Sequence, residues 1–172
     1  SSGSINLTDT DLQNLKSGMY YVQVHTQQFP GGELRGQVTQ QPIKFVAHLD
    51  SSNEIGDPFT SSGTGNFQAT LSSDTTKLSY TLTVSGLEGI TAAHIHTGSR
   101  TENGAVTVPI ASASFTEISG EADVTDELLA NLFSEGLYVN VHTTAHPAGE
   151  IRGQIEFDDS STSAVPSWIE YQ

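Results

Sequence analysis

The run Leu78-Ser79-Tyr80-Thr81-Leu82-Thr83-Val84 alternates apolar and hydroxylated residues with a period of two. Such a period sends every second side chain to one face of an extended strand. Working outward in both directions, similar runs fall at about 44–50, 65–71, 77–85, 91–97, 105–110, 114–122, 137–143 and 150–157, separated by Gly, Asn, Asp and Pro. Ser72 to Thr76 has the composition of a hairpin turn. Short strands at this spacing predict an all-β sandwich or barrel. The helical pattern in this part of the chain is Thr125 to Phe133, with Thr125 as cap, Asp126 and Glu127 in the first turn and Gly136 near its end.

The chain also repeats itself. Residues 8–38 align without a gap on residues 125–155 at an offset of 117, and 17 of the 31 positions are identical. Tyr21-Val22-Gln23-Val24-His25-Thr26 matches Tyr138-Val139-Asn140-Val141-His142-Thr143, and Glu33-Leu34-Arg35-Gly36-Gln37 matches Glu150-Ile151-Arg152-Gly153-Gln154. A unit of this size is a domain rather than a solenoid repeat. The expected organisation is one complete unit at 43–157, preceded at 1–42 by the closing part of another. An acidic Ser/Thr-rich tail follows at 158–172, whose Trp168-Ile169-Glu170-Tyr171 is apolar enough to dock on a neighbour. The start at Ser1-Ser2-Gly3, without Met, reads as a processed or excised product.

Composition narrows the function. Six Lys and Arg stand against 20 Asp and Glu, a net charge of −14. That balance argues against nucleic acid as a partner, because phosphate binding needs clustered cations. No apolar run approaches the roughly 20 residues of a spanning helix, so membrane insertion is not expected. Cysteine is absent, which removes disulfides, thiolate metal sites and cysteine catalysis. Any metal must therefore be held by imidazole and oxygen.

Histidine offers that chemistry. His94 and His96 lie two apart in Ala93-His94-Ile95-His96-Thr97, so on a strand both imidazoles share a face and Ile95 takes the other. His142 ends a strand, and His146 follows four residues later. Neutral imidazoles suit copper, zinc or nickel, and three converging ones make a copper site. The metal candidates are thus His94, His96, His142 and His146. His25 repeats His142, but Phe29 stands where His146 would be. Glu150 and Arg152, like Glu33 and Arg35, are spaced for an ion pair on one strand face. The acids from Asp50 to Asp57 lack the spacing of a calcium loop, which leaves calcium behind copper. Asn6-Leu7-Thr8 is a glycosylation sequon, meaningful in a secreted protein.

Phe45-Val46-Ala47-His48-Leu49, Ser85-Gly86-Leu87, Ala93-His94-Ile95-His96-Thr97-Gly98, Tyr138 to Thr143 and Pro147 to Gln154 together resemble the CHRD domain, first described in chordin. The resemblance implies an immunoglobulin-like or superoxide-dismutase-like Greek-key β-sandwich with one short helix. It also implies a secreted or cell-surface setting in which such domains often occur in tandem. A more distant similarity to copper-zinc superoxide dismutase would make His94, His96 and His142 copper ligands and Arg152 the active-site arginine. Against this, no histidine lies between Thr97 and Val141 to bridge to a zinc ion. Three readings follow: an extracellular, non-catalytic module with a histidine copper site; a structural subunit that self-assembles into a filament or surface layer by strand exchange; and a copper-dependent dismutase. The expected partners are further copies of the chain or other extracellular proteins.

Overall fold

The computed structural model describes residues 6–38, 42–56 and 58–158. The expected tail, with Trp168 to Tyr171, and Asp57 lie outside the described residues. The chain divides into two compact units between Pro42 and Ile43.

The N-terminal unit contains helix α1 (Asp9–Lys16) and an antiparallel hairpin of β1 (Tyr21–Val24) and β2 (Leu34–Gln37). Thr8 and Asp11 form a reciprocal capping box at the start of α1, as two amide donors there require. Tyr21, Val22, Val24 and Leu34 remain exposed.

The C-terminal unit runs β3 (Ile43–Asp50), a 3-10 turn (Ser51–Asn53), β4 (Thr64–Leu71), β5 (Lys77–Ser85), β6 (Ile90–Thr97), β7 (Val106–Ala111), β8 (Glu117–Asp123), α2 (Asp126–Phe133), β9 (Leu137–Thr143), β10 (Ile151–Gln154) and β11 (Glu156–Phe157). The strands form one nine-stranded antiparallel sheet in the order β7-β6-β9-β10-β3-β4-β5-β8, with β11 beside β3. The sheet folds over on itself at β10 and β3, which bond through the single register pair Arg152 and Asp50. The result is a sandwich, with β7-β6-β9-β10 as one layer and β3-β4-β5-β8 as the other. Its edge strands β7 and β8 come close without pairing.

Alternation does the sorting. Phe45, Ala47 and Leu49 of β3, Phe67, Ala69 and Leu71 of β4, and Leu78, Tyr80 and Leu82 of β5 all point inward and are buried. Ala93 and Ile95 of β6, and Leu137, Val139 and Val141 of β9, meet them from the facing layer. Each large side chain buried in this way contributes about 1.5–3 kcal/mol. Helix α2, capped by Thr125, buries Leu128 and Leu132, and its Phe133 packs edge-on against Phe45.

Two neighbouring strands, β9 and β10, break the pattern, and all four residues of β10 are buried. Every residue from Leu137 to Val141 is buried, so β9 is covered on its outer face as well as its core face. The covering segments are loops that periodicity could not place, and they surround the histidines.

Candidate metal centre

Register determines which side chains meet on the outer face of the β6-β9-β10 layer. His94 lies opposite Asn140, which lies opposite Arg152; His96 lies opposite Tyr138, which lies opposite Gln154; Ala92 lies opposite His142. Two histidines of β6 and one of β9 thereby converge across a single strand junction. Register shifts flank both β6 histidines on the β7 side, where bulges re-aim side chains.

One ring nitrogen from each of His94, His96 and His142 lies within 4.8 Å of the other two. His96 Nδ1 is 3.1 Å from the Gly104 carbonyl and His142 Nδ1 is 3.1 Å from the Pro147 carbonyl. A carbonyl can only accept, so each Nδ1 carries the proton and donates it, and each Nε2 keeps a free lone pair. His94 Nδ1, His96 Nε2 and His142 Nε2 are all buried without a hydrogen-bond partner. Three unpartnered ring nitrogens in one small space, those of His96 and His142 being acceptors, are costly unless something positive occupies it.

Electrostatics keeps the rings neutral. Burial lowers the pKa of all three, and mutual repulsion adds to this for His94, which feels His142 and His96. For His96 the Gly104 carbonyl works the other way, while His142 and Arg152 push the value further down. Neutral imidazole is the form that binds a metal. Metal–nitrogen bonds of about 2.0–2.1 Å set three donor nitrogens about 3.3–3.6 Å apart around one ion, so closure from separations of up to 4.8 Å needs the rings to draw in by about 1–1.5 Å at most.

His146, the fourth candidate, is not brought into this group. It lies in the turn after β9, and its ring stacks on Phe59 with centroids 4.0 Å apart. Among the described residues, neither Glu150 with Arg152 nor Glu33 with Arg35 forms the expected ion pair. Glu150 precedes β10 and turns toward hydroxyls, accepting from Ser61 Oγ and Thr143 Oγ1 at 2.6 Å each.

Arg152 instead supports the site from behind. It is 1% exposed, and its guanidinium carbon lies 3.4 Å from the centroid of the Tyr138 ring, whose own ring is stacked 5.0 Å from that of His96. Its nitrogens donate to Asn103 Oδ1 at 2.8 Å, Ser99 O at 2.7 Å and Glu102 O at 2.9 Å. The 98–105 loop is thereby clamped over β9, and it presents the Gly104 carbonyl that orients His96. Gly98 permits the fold-back, because at φ 143° a Cβ would approach Glu102 O to 2.7 Å. With its donors occupied by the loop, Arg152 is a clamp rather than an exposed cation for an incoming anion.

Glu54 is a participant that sequence reasoning missed. Burial pushes its pKa up to about 7 against the opposing pull of Arg152 and of Asn140, whose Nδ2 donates to its Oε2 at 3.4 Å. Glu54 Oε1 and Asn140 Oδ1 are both buried and unpartnered, and both lie within 2.7 Å of where a Cβ on Gly149 would stand. Burial thus favours the neutral acid over the carboxylate at this position. The calcium candidate Asp50 uses its carboxylate locally, accepting from the Ser52 amide at 2.8 Å and from Asn53 at 3.2 Å.

The profile of the CHRD domain matches residues 1–38 and 45–155. The chain belongs to the CHRD family. Both stretches of the internal repeat fall within the two CHRD matches, and the histidine cluster lies wholly in the second. No curated protein matches the chain.

Proposed function

We propose that residues 43–157 form an extracellular, non-catalytic CHRD module that holds one copper ion through His94, His96 and His142. The observation that carries this reading is the convergence of three buried, unpartnered imidazole nitrogens, two of them fixed in the metal-binding tautomer by backbone carbonyls. An all-nitrogen set without thiolate or carboxylate favours copper, which also stands highest in the affinity order of the divalent metals. Family membership supports a β-module, and CHRD domains generally occur in secreted proteins. Among the described residues no helix is long and apolar enough to cross a membrane.

The test is a copper titration of the full chain beside His96→Ala, with circular dichroism confirming that the variant keeps its fold. The wild type is expected to take up one tightly held ion and the variant to lose it. Equal uptake by both proteins would sink the site.

A further inference from the structure

Arg152 is a buried cation without a counter-ion. It is 1% exposed, and among the described residues it forms no ion pair. The acceptors it holds, Asn103 Oδ1, Ser99 O and Glu102 O, are all uncharged. Glu54 is the acid whose charge it feels, and burial pushes that carboxyl toward its neutral form. A guanidinium withdrawn from water is costly unless a carboxylate faces it. One exchange of substituents would supply that carboxylate: conversion of the Asn103 amide to an acid, at the oxygen that already accepts from Arg152 at 2.8 Å.

The chain around Asn103 is set for that exchange. Asn103 is followed by Gly104, and no other asparagine in the sequence precedes a glycine. Without a Cβ on Gly104, its backbone nitrogen is unhindered as it approaches the side-chain carbon of Asn103. Both residues are exposed, so water reaches them. Arg152 donates to Oδ1, the oxygen on which negative charge builds during attack, and the Gly104 N–H, whose proton must leave, points at Tyr138 Oη at 3.2 Å. A bulkier residue cannot replace Gly104 to slow the attack, because a Cβ there would stand 1.7 Å from Thr97 O.

We propose that Asn103 is a self-modification site, deamidated through its own backbone to an aspartate that becomes the counter-ion of Arg152. The Gly104 nitrogen bonds to Cγ of Asn103 and gives up its proton. The Cγ–Nδ2 bond breaks, and Nδ2 departs as ammonia with that proton, leaving a cyclic imide. Water then splits the new bond at Cγ, returning the amide hydrogen to Gly104 and leaving a carboxylic acid that ionises beside Arg152. Opening at the backbone carbonyl instead gives isoaspartate, which lengthens the main chain by a methylene. That product does not fit, because Gly104 N is bound to Tyr138, Gly104 O to His96 Nδ1, and Thr97 O closes on the Gly104 α-carbon. The two products exchange through the same imide, so the fold selects aspartate.

The full chain is incubated at pH 8, either folded or unfolded in urea, and residue 103 is followed by peptide mass spectrometry that separates asparagine, aspartate and isoaspartate. The folded chain is expected to accumulate aspartate in at least about tenfold excess over isoaspartate, and the unfolded chain to favour isoaspartate. Asn103 unchanged in the folded chain, or isoaspartate as its main product, overturns the proposal. Asn103→Asp supplies the product directly. On a chain of net charge −14 an added acid is otherwise unfavourable. Urea unfolding of Asn103→Asp should nevertheless show a gain of at least about fivefold in the ratio of folded to unfolded chain, while Ser112→Asp at an exposed position shows none. No gain from Asn103→Asp, or an equal gain from Ser112→Asp, overturns the proposal as well. Neither readout depends on a metal at the histidines.

Discussion

Replacing Arg152 with methionine tests how the outer face of β9 is held. The substitution keeps most of the side-chain volume while deleting three hydrogen bonds to Asn103, Ser99 and Glu102 and the cation over Tyr138. Hydrogen bonds to a charged donor contribute about 1.5–3 kcal/mol each, and a desolvated cation–π contact about 2 kcal/mol. Against that gross loss stand the relief of a buried guanidinium and the rehydration of loop carbonyls once residues 98–105 lift away. A net destabilisation of about 3–5 kcal/mol remains, the range for removing one partner of a buried charged network. The repeat supplies an internal control. Arg35→Met deletes the same contact over Tyr21 on an exposed hairpin and should change stability by no more than about 0.5 kcal/mol. Urea unfolding of the full chain at pH 7.5, followed by far-UV circular dichroism, measures both. A loss below about 1 kcal/mol for Arg152→Met, or equal losses for the two variants, would refute the clamp.

Three further expectations follow from the same face. The folded pKa of Glu54, about 7, lies above the ordinary value of 4.5, so the native state holds a proton that the unfolded chain releases between those values, and stability falls as pH rises through that window. After allowance for partial solvent screening this is worth about 1–2 kcal/mol; Glu54→Gln should match the wild type near pH 5 and exceed it at pH 8, and an unchanged slope in urea melts across that range would count against the buried acid. His94, His96 and His142 shift the other way, below the ordinary imidazole value of 6.5, so acid favours the unfolded, protonated rings. Copper retained on dialysis at pH 7.5 should be lost on acidification only below the ordinary imidazole range, because the lowered values keep the rings neutral there, and a copper affinity that does not change with pH would contradict imidazole ligands. Gly149 has φ 140° and abuts Glu54 and Asn140, so Gly149→Ala should cost at least about 1–3 kcal/mol from backbone strain and crowding; a melt within about 0.5 kcal/mol of wild type would mean the turn relaxes freely.

The strands were legible because alternation is a local signal. Lys77 to Ser85 begins and ends where the period-two pattern does, Leu137 to Thr143 coincides with the run between Gly136 and Thr144, and Thr125 capped its helix as its position implied. His94 and His96 could be paired from spacing alone, since two residues along a strand return to one face. His142 joined them through the repeat, which marked it as part of a recurring strand end. The remainder of the centre depends on contacts between distant parts of the chain. Glu54 reaches Asn140 across 86 positions and Arg152 reaches Asn103 across 49, and neither loop has a periodicity to announce it. The Glu150–Arg152 spacing suggested an ion pair, but hydroxyls and carbonyls nearer each group won. A usable hint was present in Tyr138-Val139-Asn140-Val141, where a strand apolar at nearly every position signals cover on both faces.

The unit's entry and exit strands are neighbours. β11 runs antiparallel to β3, with Phe157 beside Phe45, Glu156 beside Val46, and the Asp158 amide bonded to the Lys44 carbonyl. Tension applied across residues 43 and 158 therefore pulls two adjacent chain ends apart and loads their hydrogen bonds one after another, as in a zipper, instead of all together in shear. Rupture would pass from Lys44 toward Asp50 and Arg152 before it reached β9 and β6. The histidines, on the far side of β10, would feel the load only after β11 and the junction of β10 with β3 had parted.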